Sequence, residues 1–330
     1  MAFLDLDNLK INKIDKQLLF ENAQYSVFKK NNTICYYSKI LNQEMEYAKL
    51  PLNFNNVDFI ENNNYIILLI GKKELHIFDT KNNSLRMHII DPAIFGEIQT
   101  KIYLYDNERI VFGCRFKDSF HFIRYNLVSG VRETQTFSFK VNIITDTIFH
   151  NKKIYCIVDD AFILCFNMED GSNVFKRFEA GKINSKLFTY NNKLLYGYNN
   201  TINIYSDKDN IKSIKFNTAF NEQISLNETT LVCSDGFNLH GFNLVEQQKT
   251  WQLNGNLAIM QSVECEFFHN KKNINGLFVL TQNHLSFIDF NGKLLFNMIF
   301  NDIVKIIKST GTIILKNSRN ENFVIELKND

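Results

Sequence analysis

Apolar and polar residues alternate with a period of two along short runs of the chain, and polar turns separate the runs. Such alternation is typical of β-strands that are buried on one face. Two stretches show it most clearly. The first predicts strands at Val57–Glu61, Tyr65–Ile70, Glu74–Thr80 and Ser84–Ile90. The second predicts strands at Thr145–His150, Lys153–Val158, Phe162–Met168 and Asn173–Glu179.

A short motif recurs along the whole chain: an apolar strand, an aromatic or aliphatic residue, then a polar turn. Successive copies lie about 40 residues apart, which is the length of one four-stranded propeller blade. We therefore predict an all-β fold, a β-propeller of eight four-stranded antiparallel blades, with seven as the alternative if one copy is accidental. The central residues are Tyr37, Phe78, Tyr125, Phe166, Tyr205, Phe242, Ile288 and Ile325.

The two ends of the chain complement each other. The last unit, residues 302–330, offers three strands, near Asp302–Lys308, Thr312–Lys316 and Asn322–Lys328, and the N-terminal segment 3–14 offers a spare one. Pairing the N-terminal strand with the last unit would complete that blade and close the ring, which removes two exposed sheet edges. We predict a single propeller domain over residues 1–330.

The turns and the one candidate helix are also predictable. Asn is abundant while Pro occurs twice, and Asn tolerates the positive φ of tight turns. An AT-rich coding sequence would explain the same excess. A short helical turn is expected near Pro92–Ile98. We expect tight hairpins between second and third strands at Asn31–Asn32, Lys117–Asp118, Asn199–Asn200 and Asp235–Gly236.

The clearest single unit is Ser234–Trp251, which has a turn Gly, an apolar strand, a polar turn and a Lys-x-Trp ending. It resembles the blade of the pyrroloquinoline-quinone-type (quinoprotein-like) β-propellers. The docking Trp of that blade occurs here only at Trp251. The resemblance implies the architecture alone, since the chain lacks the vicinal cysteines of the quinone-binding dehydrogenases.

Charge and composition exclude several classes of protein. Lys plus Arg is 37 and Asp plus Glu is 35, for a net charge of +2, which argues against nucleic-acid binding. No apolar run is long enough to span a membrane, and the Met1–Lys10 segment has acids where a signal peptide has basic residues. The six scattered cysteines indicate reduced thiols. We expect a cytoplasmic protein that binds neither nucleic acid nor membrane.

Candidate catalytic and metal-binding residues are few. Cys156 and Cys165 flank a hairpin symmetrically, so they should lie directly opposite each other on paired strands, where a role as core filling outweighs zinc binding. His76, His121, His240 and His284 recur at repeat positions in separate units, which favours structural or surface roles. No nucleophile elbow, Walker A, zinc-protease or dinucleotide motif is present. We predict that the protein is not an enzyme and that it has no cofactor and no metal site.

Two connections between predicted blades carry the positive functional indication. Asp91–Thr100 joins the second and third units, and Asn254–Gln261 joins the sixth and seventh. In a propeller both lie on one face. They hold apolar residues that either fold back over the blade ends or form a docking surface. The candidate partner-binding residues are Ile94, Phe95, Glu97, Ile98, Leu257, Ile259 and Met260.

The favoured hypothesis is a non-enzymatic protein-binding propeller, acting as an adaptor or a stoichiometric inhibitor of a folded protein. An immunity protein that neutralises a cognate toxin or effector belongs to this class. The alternative is an enzyme or small-molecule binder that uses the axial channel. The fold does not decide between them.

Overall fold

The structure is a computed structural model. Contacts divide the chain into two compact units, residues 53–219 and residues 1–52 with 220–330, and each is described by itself. The prediction of one domain stays a prediction. The structure describes residues 2–3, 11–14, 17–21, 25–30, 33–39, 42–49, 57–61, 65–79, 82, 84–183, 185–198, 201–205, 211–215, 222–227, 229–234, 237–246, 248–255, 258–269, 272–282, 284–299, 302–309, 312–319, 321–326 and 328–329.

The unit of residues 53–219 contains four antiparallel sheets, which we number second to fifth in chain order. The second sheet has the strands Val57–Glu61, Tyr65–Ile70, Glu74–Asp79 and Ser84–Ile89. The third has Glu97–Ile98, Tyr103–Leu104, Arg109–Phe116, Ser119–Asn126, Val131–Gln135 and Phe139–Lys140. The fourth has Ile144–His150, Lys153–Val158, Phe162–Asn167 and Asn173–Phe178. The fifth has Phe188–Tyr190, Lys193–Tyr198, Thr201–Tyr205 and Ile211–Lys215.

The unit of residues 1–52 and 220–330 contains the first, sixth, seventh and eighth sheets. The first has Gln17–Glu21, Tyr25–Lys30, Thr33–Ser38 and Gln43–Lys49. The sixth has Glu222–Asn227, Thr230–Ser234, Leu239–Asn243 and Gln248–Leu253. The seventh has Ile259–His269, Lys272–Thr281, His284–Asp289 and Leu294–Ile299. The eighth has Ile303–Ser309, Thr312–Asn317, Asn322–Glu326 and Ile11–Ile14.

The predicted pairing of the chain ends is present in the eighth sheet. Its outer strand is Ile11–Ile14, which pairs antiparallel with Asn322–Glu326 and places Ile11 opposite Ile325. Ala2–Phe3 also pairs, with Lys328–Asn329. Residues 4–10, the rest of the predicted N-terminal strand, lie outside the described residues. The eighth sheet is therefore completed from the other end of the chain.

Consecutive sheets pack face to face within each unit, and the apolar core lies between them. Cys156 of the fourth sheet packs with Phe122 of the third, and Cys165 packs with Tyr196 of the fifth. In the other unit, Phe287 of the seventh sheet shares a cluster with Ile313 of the eighth. Both faces of these sheets are buried, so strands such as Tyr65–Ile70 are apolar almost throughout.

The expectation that Cys156 and Cys165 lie directly opposite is wrong. Cys156 pairs with Leu164, and Cys165 pairs with Tyr155. The hairpin turn has three residues, Asp159–Ala161, whereas the symmetric arrangement requires a turn with an even number. A shift of one residue turns a side chain to the other face of a sheet. The two thiols therefore lie in different core clusters, and burial raises the pKa of Cys156.

The first strands of successive sheets are also joined sideways by hydrogen bonds. The Tyr103 hydroxyl donates to the Thr147 carbonyl at 2.5 Å, and the Leu187 amide donates to Asp146 Oδ2 at 2.7 Å. Gln261 Nε2 donates to the Ile306 carbonyl at 2.7 Å, and Gln261 Oε1 accepts from the Ile306 backbone amide at 2.8 Å. These bonds fix the sideways position of one sheet against the next.

Tight turns with positive φ are supplied by Asn and Asp, as the composition indicates. Asn191 and Asn192 have φ of 47° and 59°, and Asp159 and Asp160 have φ of 49° and 57°. Lys117–Asp118 forms the predicted two-residue hairpin, while the other three predicted hairpins lie outside the described residues. The helical turn is present at Pro92–Phe95. No helix among the described residues is long and apolar enough to span a membrane.

Candidate functional site

The connection Asp91–Thr100 is folded. Asp91 begins the helical turn: its Oδ1 accepts from the Ala93 amide at 2.9 Å, and its carbonyl accepts from Ile94 and Phe95 at 3.0 and 2.9 Å. An Asp at this position satisfies amides that the first turn of a helix leaves unpaired. The connection therefore presents its side chains from a defined backbone.

The predicted binding residues of this connection have different surroundings. Ile94 is 65% exposed, and Glu97 is also exposed. Phe95 is half-buried against the core between the second and third sheets, with the Arg132 guanidinium 5.6 Å from its ring centre. Ile98 is buried in that core. Ile94 and Glu97 are thus the exposed members of this set, while Ile98 folds back over the sheet end.

The second connection is described in part. Leu257 lies outside the described residues. Ile259 is half-buried against the core between the sixth and seventh sheets. Met260 is 50% exposed. It is the extra residue of a β-bulge, because Ile259 pairs with Thr281 and Gln261 pairs with the next residue, Leu280. A bulge redirects a side chain away from its sheet face, which accounts for the exposure of Met260.

Each sheet has an end at which the chain enters its first strand, turns between the second and third, and leaves its fourth. We call this the connection end. Among the described residues of the unit 53–219, five exposed large apolar side chains lie there and three lie at the opposite end, while Phe137 lies between the strands Val131–Gln135 and Phe139–Lys140. The five are Ile89, Ile94, Phe116, Ile143 and Phe178, and the three are Val128, Val131 and Val174.

The other unit has the same bias. Among its described residues, four exposed large apolar side chains lie at the connection ends of the sheets, Phe237, Met260, Ile299 and Val304. Val245 and Leu294 lie at the opposite ends. Because a solvated loop end is normally polar, the enrichment at one kind of end needs an explanation beyond packing.

The connection end is held rigid by charged side chains. Asp159 Oδ1 accepts from the amides of Asn142 and Ile143, both at 2.9 Å. Arg115 donates to the carbonyls of Val141 and Asn142 at 2.6 and 2.9 Å. Asp160 accepts from the Thr145 hydroxyl and pairs with Lys182 at 3.3 Å, contacts that lower its pKa. The loop that carries Ile143 is therefore fixed in place.

We expect Asp159→Ala to lower the free energy of unfolding by about 1–2 kcal/mol, because two amides lose their acceptor and Ala is strained at positive φ. Asp159→Asn is the control, since Asn keeps an acceptor and tolerates this backbone; we expect it to stay within about 0.5 kcal/mol of wild type. Urea denaturation followed by circular dichroism measures both. Equal losses in the two variants would contradict the role given to the Asp159 side chain.

The repeat-position histidines lie in four different sheets. His76, His121 and His240 are buried, and His284 is half-buried. Burial lowers the pKa of His121, and the charge of Arg132 acts in the same direction. Within the part of the chain that the structure describes, no three His, Cys, Asp or Glu side chains group to hold a metal ion.

Trp251 joins the sixth sheet to the seventh. Its Nε1 donates to the Phe290 carbonyl at 2.9 Å, and its ring lies against Gly292, whose φ is +84° and where a Cβ would come within 2.6 Å of the indole. Gly241, opposite Trp251 in the sheet, is equally closely covered, with an added Cβ 2.1 Å from the ring. Trp251 therefore docks the sixth sheet against the seventh.

Sequence reasoning missed the residues that replace Trp in other sheets. His88, on the outer strand of the second sheet, lies against Gly130 of the third, with its Nδ1 3.0 Å from the Tyr125 hydroxyl. In the third sheet the contact with Gly171 of the fourth is made by the backbone carbonyl of Gln135 and by the Thr134 side chain. The detectable signal was the turn Gly in the following unit. It occurs about 40 residues after the docking residue of the preceding sheet.

Comparisons with known proteins support the architecture. No family model matches the chain, and no curated protein matches it. Among solved structures, BamB from Moraxella catarrhalis has a TM-score of 0.64 at 8% identity, covering 99% of this chain and 100% of that chain. The C-terminal WD40 domain of Sif2 has a TM-score of 0.64 at 11% identity, covering 100% and 99%. The computationally designed protein Ika8 has a TM-score of 0.64 at 12% identity, covering 98% of both chains.

At these identities the likeness shows the fold alone. BamB and the Sif2 domain are propellers with different blade motifs, so the similarity is to the architecture and not to one repeat family. The sheets, their order and these neighbours together give the chain a β-propeller architecture.

Proposed function

We propose that the chain is a closed propeller of eight blades, with seven as the alternative count, and that it binds a folded protein through the connection ends of its blades. The blade would belong to the quinoprotein-like type. The function would be non-enzymatic and cytoplasmic, as an adaptor or a stoichiometric inhibitor, with neutralisation of a toxin or effector as one form of inhibition.

The observation that carries this proposal is the placement of exposed apolar residues. Ile94 is presented on a capped helical turn, and Ile143 on a loop held by Arg115 and Asp159. Apolar side chains on a preorganised backbone cost little ordering entropy when a partner binds. Protein interfaces have apolar centres of this kind surrounded by polar residues.

Two further features support binding over catalysis. Asp146 and Gln261, polar residues on the first strands of their sheets, are bonded to the backbone of the next sheet. Burial raises the pKa of Asp146, although the amide of Leu187 opposes the shift. Each of these side chains therefore serves to join two neighbouring sheets.

The test compares two matched pairs of substitutions. Ile89→Asp with Ile94→Asp changes the connection end, and Val128→Asp with Val131→Asp changes the opposite end of the same unit. All four side chains are exposed, so we expect melting temperatures close to wild type. Tagged protein would be used to capture its partner from cells of the source organism.

We expect the connection-end pair to weaken capture by about tenfold or more, and the opposite-end pair to leave it intact, because an interfacial charge without a counter-charge is costly to desolvate. Undiminished capture by the first pair would overturn the proposed surface. Capture lost only in the second pair would move the binding site to the opposite end.

A further inference from the structure

The outer strand of each sheet forms its exposed edge, and proteins normally protect such edges with charged residues. Seven of the eight outer strands follow this rule. Each contains at least one Lys, Arg or Glu: Glu44, Arg86, Arg132, Lys176, Lys212, Lys249 and Lys13. The seventh outer strand, Leu294–Ile299, has the sequence Leu-Leu-Phe-Asn-Met-Ile and no charge.

The edge of this strand is open among the described residues. Leu294–Ile299 pairs on one side with His284–Asp289, and no described strand pairs with the other side. Leu294 is 44% exposed and Ile299 is 72% exposed. Alternate residues of an edge strand direct their N–H and C=O groups away from the sheet, ready to bond another strand.

We propose that a second copy of this chain pairs with this edge, strand Leu294–Ile299 against the same strand, antiparallel and related by a two-fold axis. The absence of charge is the argument for a second copy. A strand that carries a Lys or Glu meets its own charge again when it pairs with itself, and like charges opposite each other are destabilising. This strand meets itself without repulsion.

The sheet faces require a two-fold pairing that is centred on a residue, and we propose Asn297, the polar residue of this strand, as the centre. Phe296 and Met298 lie opposite Phe287 and Leu285, which belong to one core cluster, so these two side chains share a face. Asn297 lies on the other face, opposite Ser286, whose hydroxyl donates to Asn297 Oδ1 at 3.0 Å and leaves the amide Nδ2 to donate across the edge. Pairing centred on Asn297 keeps like faces together: Asn297 meets Asn297 of the second copy, and Phe296 meets Met298. Facing amides bond each other, and the apolar pair adds buried surface.

The experiment measures the mass of the full chain by sedimentation equilibrium from micromolar to submillimolar concentration. Wild type is expected to approach twice the chain mass of 38.7 kDa. Asn297→Lys places two charges face to face across the axis, and we expect it to weaken the dimer by about tenfold or more. Val174→Lys is the matched control, an exposed position on the outer strand of the fourth sheet, and should leave the dimer unchanged.

Charge reversal tests the symmetry directly. The Asn297→Lys chain and the Asn297→Glu chain should each be weakened alone and should associate when mixed, because the opposed charges then attract. Circular dichroism establishes that each variant is folded. A monomeric wild type, a dimer that Asn297→Lys leaves intact, or the absence of rescue on mixing would each overturn the proposal. Binding of an unlike peptide to a monomeric wild type would do so as well.

Discussion

Trp251→Ala is expected to lower the free energy of unfolding by about 2–4 kcal/mol. The indole packs against both Gly241 and Gly292 and bonds the Phe290 carbonyl, so its loss opens the contact between two sheets. Removing a buried Trp costs about 3–5 kcal/mol, and Trp251 is half-buried, which reduces the expected loss. Trp251→Phe keeps much of the packing and loses the hydrogen bond, and we expect it to cost less than the Ala variant.

A double-mutant cycle with Gly241 makes this prediction specific. A Cβ at position 241 would come within 2.1 Å of the Trp251 ring, so Gly241→Ala should destabilise the wild-type protein. In the Trp251→Ala background the space is empty, and the same substitution should cost far less. Urea denaturation followed by far-ultraviolet circular dichroism suits all four proteins, since Trp251 is the only Trp. Additive losses would contradict direct packing.

The strands were predictable because each is a short run rich in apolar residues that ends at a polar turn, even where both faces of a sheet are buried. Phe162–Asn167 ends one residue before the predicted boundary. The strand that completes the eighth sheet was predictable from the count of strands in the last unit, since a missing partner leaves an open edge. These features depend on the local sequence pattern and on the need of each strand edge for hydrogen-bond partners.

Register and burial were not predictable to the same degree, because both depend on tertiary contacts. The pairing of Cys165 follows from a turn of three residues, and nothing in Asp159–Ala161 distinguishes that turn from an even-numbered one. Ile94 and Ile98 are equally apolar and four residues apart, yet one is exposed and the other buried. The core of the neighbouring sheet decides which of them turns inward.

The residues that dock one sheet against the next were also only partly predictable from the sequence. Trp251 was recognisable because one residue type defines the position in a known kind of blade. In the other described pairs of sheets the contact is made by His88, or by the Thr134 side chain with the Gln135 carbonyl, and only the Gly on the neighbouring turn is shared. A position whose residue type varies from one repeat to the next leaves no pattern in a single sequence, although its geometry is retained.

Glu179→Ala is expected to lower the free energy of unfolding by about 3 kcal/mol. Glu179 is buried between the fourth and fifth sheets, where Oε1 accepts from the Tyr196 hydroxyl and from Arg177 Nε at 2.5 Å. Burial raises the pKa of Tyr196, and the Glu179 carboxylate adds to the rise, so this hydroxyl stays a donor. Without the carboxylate, a fully buried hydroxyl and a guanidinium lose their acceptor at once, which is among the costlier losses in a protein interior.

Glu179→Gln is the control, since the amide oxygen still accepts from Tyr196 while the charge is lost, and about half the effect is expected. Tyr196→Phe alone removes one of the two donors to the carboxylate and should cost about 1–2 kcal/mol. In the Glu179→Ala background it should cost little, because the hydroxyl it removes has already lost its acceptor. Urea denaturation of the four proteins gives the coupling between the two side chains. A coupling near zero would mean that sheet packing, and not this hydrogen bond, holds Glu179 in place.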